Sequence, residues 1–94
     1  MEKVTVEAAE AIAISALQHL GSDDDLVMRF CAVTGILSND IRSAAQEPGF
    51  MSGLLDFYLS HEPDLLAWTS QAEISPEHVM AARFTLSPHD MSGF

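Results

Sequence analysis

The sequence predicts an all-α fold, a compact single domain of five to six short helices, and three observations predict it. Apolar residues recur at three- and four-residue spacing along most of the 94-residue chain. Serine, glycine and proline fall where helices of that spacing should start and stop. No run alternates apolar and polar residues long enough to argue a strand. One helical domain over 1–94 is expected, with an ordered core at about 5–86 and a tail at 87–94; a 10.2 kDa chain has no room for a second domain.

The first helix should run from about Thr5 to Leu20. Ala9, Ile12, Ala13, Ala16, Leu17 and Leu20 form one stripe, Glu7, Glu10 and Gln18 lie opposite, and Gly21 should end it. Ser22 reads as the cap of the second helix, with Asp25 in the acid position of a capping box. Leu26, Val27, Phe30, Val33 and Thr34 should point inward, and Gly35 should end that helix. Ser38 should cap a short third helix, Asn39 to about Ala45, followed by a turn at Glu47-Pro48-Gly49.

The fourth helix, about Phe50 to Ser60, is apolar nearly all round, which predicts a central position. Pro63 suits the first position of a fifth helix that packs through Leu65, Leu66, Trp68, Thr69 and Ala72. Ser75-Pro76-Glu77 starts a sixth, with Val79, Met80, Ala82 and Leu86 inward. The stretch from Asp25-Leu26 through Ser38-Asn39-Asp40-Ile41 echoes that from Asp64-Leu65 through Ser75-Pro76-Glu77-His78-Val79, a degenerate helix-turn-helix repeat.

Charge narrows the function classes. Fourteen acidic residues stand against Lys3, Arg29, Arg42 and Arg83, a net charge of -10. Such a surface repels nucleic acid and anionic lipid, since both are held by Lys and Arg displacing counterions. A basic partner, or solubility alone, fits better. Cys31 is the single cysteine, so no internal disulfide can form and a reducing cytoplasm is expected. The Met1-Glu2-Lys3-Val4 start shows no signal peptide, and no stretch of apolar residues is long enough to span a membrane.

Candidate chemistry is sparse. Asp23-Asp24-Asp25 lacks the glycine and closing glutamate of a calcium loop and is explained by acids at a helix start. His19, His61, His78 and His89 are not at zinc-ligand spacing. Cys31 has no evident activating base and reads as a small packing residue. No catalytic, cofactor or metal residue is therefore expected. Asp56, on the most apolar helix, should either reach solvent or form a structural ion pair with Arg29, Arg42 or Arg83. Leu26 to Ala45 can be read as a DNA-binding helix-turn-helix offering Asn39, Arg42 and Gln46, against the net charge. Ile14 projects roughly 130° from the centre of its apolar stripe at about 100° per residue. Met28 is displaced in the same way, so the two are candidates for an interaction patch unless the tail, through Met91 or Phe94, covers one of them.

The chain resembles a bacterial family of unknown function, DUF3572, over about Glu7 to Phe84. The resemblance rests on Ala9-Glu10-Ala11-Ile12-Ala13 with Ala16-Leu17, on Arg29-Phe30 followed by Thr34-Gly35-Ile36, and on Asp40-Ile41-Arg42. It continues in Pro48-Gly49-Phe50, Leu55-Asp56-Phe57, and Pro76-Glu77-His78-Val79 with Ala82-Arg83. Leu37-Ser38 departs from the family pattern, where an acidic residue or proline is common, which bears on where the third helix starts. The resemblance implies a compact helical fold and no particular activity. The expectation is a non-catalytic, cytoplasmic interaction or accessory protein, monomeric or weakly dimeric, with a protein partner. The alternative is a small ligand-binding module or enzyme with a site near Asp56, Tyr58 and His61; a nucleic-acid binder comes third.

Overall fold

A computed structural model describes residues 4–47 and 49–86. Six α-helices follow one another: α1 (Val6–Gly21), α2 (Asp24–Thr34), α3 (Ile41–Ala44), α4 (Phe50–Leu59), α5 (Glu62–Ala72) and α6 (Pro76–Leu86), with a 3-10 turn, Ser38–Asp40, leading into α3. No strand occurs among the described residues. The segment 87–94, with Met91 and Phe94, lies outside them, as does Pro48.

The core is built where small residues allow close approach. Ala9, Ala13 and Ala16 of α1 are fully buried and pack with α4 and α6; Val79 and Ala82 of α6 are buried as well. The α1–α6 contact is the most extensive in the fold, and the Thr85 hydroxyl donates to the Val4 carbonyl at 2.9 Å where the end of α6 meets the start of α1. The sequence places the fourth helix alone at the centre; in the structure α1, α4 and α6 share it, because three alanines in register make α1 as approachable as α4 is apolar. Seven of the ten α4 residues are buried, Gly53 among them. Around α4 the rings of Phe30, Phe50, Phe57, Tyr58 and Trp68 meet at offset angles; Phe30 lies edge-on to Phe57 at 5.2 Å and Tyr58 lies against Trp68 at 4.9 Å.

Several boundaries differ from the sequence expectation. Gly21 is the last residue of α1 rather than a left-handed stop, and Ser22 caps that end, its hydroxyl donating to the His19 carbonyl at 2.7 Å. With Ser22 so engaged, Asp23 caps α2, accepting from Leu26 N–H at 3.2 Å. Ser38 makes no capping bond, and the expected third helix divides into the 3-10 turn and the single turn of α3. Glu62 precedes Pro63 in α5, with His61 at the cap.

Three residues expected to point inward are exposed: Val33, Leu66 and Met80. For Val33 the reason is that α2 runs along the edge of the molecule. It packs mainly on α1 and the 3-10 turn, and Phe30 alone gives it ring contacts on α4. Leu66 and Met80 each sit about 100° round the helix from a buried neighbour, Leu65 and Val79, which take the inward position.

The two echoing halves share one local device. Helices α2 and α5 each have 11 residues, and each ends in a left-handed residue, Gly35 at φ 79° and Glu73 at φ 57°. A half-buried isoleucine follows in both, Ile36 and Ile74. Beyond the turn the halves part: α3 has four residues and α6 has 11.

Candidate functional site

Two ion pairs join helices, one largely buried and one at the surface. Asp56 on α4 accepts from Arg83 Nε on α6 at 2.5 Å, with the Arg83 side chain only 8% exposed. Arg29 on α2 binds Asp64 in the first turn of α5 through both terminal nitrogens, at 2.6 and 2.9 Å. That fork-to-carboxylate geometry holds Asp64 below the usual carboxylate range, chiefly through the hydrogen bond itself. Arg42 is exposed.

Tyr58, fully buried, shares a 2.7 Å hydrogen bond with His19 Nδ1. Its oxygen also lies 3.4 Å from the Ala16 carbonyl, to which it donates when Nδ1 carries the proton. Burial raises the phenol's pKa well above its usual range, and the Asp64 and Asp23 carboxylates add to the effect. Trp68 Nε1 donates to the Ser15 hydroxyl at 3.0 Å, which satisfies the other large polar ring of the core.

Asp56, Tyr58 and His61 do not form one site. Asp56 and Tyr58 are two positions apart on α4, roughly 200° round the helix. Asp56 therefore turns to α6 and Tyr58 to α1. His61 is exposed, its ring stacked on Phe57 at 6.5 Å. Asp24 and Asp25 are exposed at the start of α2, and Cys31 is half-buried with a free thiol. Among the described residues no three His, Cys, Asp or Glu side chains are placed to share a metal ion.

Shallow concavities mark the surface of the described residues. One, about 430 Å³, runs between the Gly35–Leu37 turn and α3, with Asp40 and Glu47 on its lining. A second, about 330 Å³, lies beside Met51, Glu10 and Leu86. A third, about 280 Å³, is a cleft between the last turns of α1 and α5, lined by Ser15, Gln18, His19 and Ser22 on one side and Trp68, Gln71 and Ala72 on the other. Positions 15, 18, 19 and 22 form one helical stripe, so the spacing carries this polar wall although no single residue of it signals a site.

The candidate patch residues Ile14 and Met28 are 46% and 68% exposed, on α1 and α2 respectively. The segment read as helix-turn-helix ends in the single turn of α3, with Asn39, Arg42 and Gln46 exposed and Arg29 bound to Asp64.

Fold and site together define a small all-α domain whose one buried cation among the described residues, Arg83, is paired with Asp56. No helix among the described residues is long and apolar enough to cross a membrane. The chain belongs to the DUF3572 family, described as a protein of unknown function, whose model matches residues 6–89. No curated protein and no solved structure matches it.

Proposed function

We propose that the protein is a non-catalytic interaction module of the cytoplasm that presents an acidic, apolar-studded surface to another protein. One observation carries this reading: Asp56 and the largely buried Arg83, and at the surface Arg29 and Asp64, are held by one another, while Ile14, Met28, Val33, Leu37, Met80 and Phe84 stand exposed on a chain of net charge -10. A general acid or base must be free to reach a substrate proton, and Asp56, Asp64 and Tyr58 are each held by a partner within the fold. Exposed apolar side chains supply the surface that a partner can bury, and the surrounding acids select a basic one. The half-buried free thiol of Cys31 fits a reducing compartment.

Affinity purification of the tagged protein from its own cells tests this reading. A stoichiometric protein partner is expected, recovered poorly by a variant carrying Ile14→Ser and Met28→Ser with unchanged circular dichroism. Recovery of no partner, or undiminished recovery by that variant, counts against the module or against those two residues respectively.

A second reading, a small ligand-binding module, is favoured by the α1–α5 cleft. Its Gln18 and Gln71 amides are exposed and make no hydrogen bond within the described residues, leaving donors and acceptors for a small polar molecule.

A further inference from the structure

We infer that the groove between the Gly35–Leu37 turn and α3 is the docking site for a basic, partly apolar peptide segment of the partner protein. The inference rests on the interaction-module reading and gives it a place and a chemistry.

The groove follows from the way α2 ends. Gly35, left-handed at φ 79°, turns the chain sharply away from the helix axis. Ile36 is then drawn towards the core and Leu37 is left outside, 63% exposed. The chain re-enters through the 3-10 turn into α3, so the turn and α3 border a shallow, open groove about 430 Å³ in volume. Ile36 and Ala44 are half-buried in its lining and Leu37 stands exposed there. Val33, also exposed, precedes the turn on the last part of α2.

The polar part of the lining has one sign. Asp40, Ser43 and Glu47 are three and four residues apart, which sets them along one side of α3 and its flanks. Ser43 donates to the Asp40 carbonyl, leaving the Asp40 carboxylate unengaged by it. No ion pair within the described residues involves Asp40 or Glu47. Arg29 and Arg83 are held by Asp64 and Asp56 elsewhere. The groove thus offers apolar surface beside two carboxylates on a strongly acidic protein, and its complement is a chain carrying Lys or Arg next to aliphatic or aromatic side chains. A polyanion is repelled there, and a wholly apolar segment leaves both carboxylates without a counter-charge.

A fluorescein-labelled 14-residue peptide of Lys and Leu in amphipathic order is the probe, followed by anisotropy and by amide chemical shifts of the labelled protein. Saturable binding is expected, with shifts concentrated at residues 35–47. The Asp40→Asn/Glu47→Gln variant should bind roughly tenfold more weakly, and Leu37→Ser several-fold more weakly. A distant acid pair, Glu62→Gln/Glu73→Gln, should change binding less than twofold, which separates the groove from general attraction to a negative surface. A Glu and Leu peptide of the same pattern should not bind. Equal losses from both acid pairs, or shifts centred away from 35–47, overturn the groove while leaving the interaction module standing. No binding overturns the groove outright, and the purification experiment judges the module separately.

Discussion

Tyr58 shows how a single polar atom ties the fold together. Its ring lies among Phe57, Trp68 and His19, and its hydroxyl spans from α4 to α1. The buried phenol resists ionisation, so its folded-state pKa lies above that of the unfolded chain. The stabilising effect is therefore fully present below about pH 10, where a free phenol begins to ionise, and is lost as pH rises through the folded-state value. Urea unfolding measured between pH 8 and 11 should show wild-type stability falling above about pH 10. Tyr58→Phe should be less stable at pH 8 by about 1 kcal/mol, the usual worth of one hydrogen bond, and should fall less steeply above pH 10. Little of this was legible beforehand. A tyrosine in an apolar helix announces burial, but its partner His19 lies 39 positions away, and no local spacing links the two. The Asp56 question was posed by composition, since a lone carboxylate in an apolar helix needs an answer. Which arginine answered depended on the α4–α6 crossing, which no local pattern encodes.

At the scale of elements, helix interiors were easier to read than helix ends. The stripe of α1 follows from spacing, and the burial of α4 from its apolar composition. The ends were decided by competition between neighbouring polar groups: Ser22 could have capped α2, but its hydroxyl closes α1 and Asp23 took the cap. Exposure of Val33 reflects what is absent beside α2, which periodicity cannot report. The paired left-handed stops give a prediction of opposite signs. Gly35→Ala forces a Cβ into a conformation that disfavours it, with open space around it, so the cost is backbone strain alone, about 1 kcal/mol. Glu73 already bears that strain at φ 57°, so Glu73→Gly should be neutral to stabilising by up to about 1 kcal/mol. Chemical denaturation of the two variants checks both; stabilisation by Gly35→Ala, or a loss in Glu73→Gly as large as that in Gly35→Ala, would contradict the reading.

For the molecule as a whole, composition correctly indicated helices and an acid excess, while the arrangement of helices came from contacts distant in sequence. The groove beside α3 illustrates the limit: its walls come from a glycine turn and a helix of one turn, neither of which stands out by periodicity. The same holds for the joining of first and last helices. The alanine face of α1 has its largest partner in α6, and Val4 is bonded to Thr85, 81 positions later. During synthesis α1 therefore waits, its small apolar surface uncovered, until α6 has been made. The domain should assemble in one late cooperative step, and no shorter nascent intermediate should be protected from protease before α6 is available.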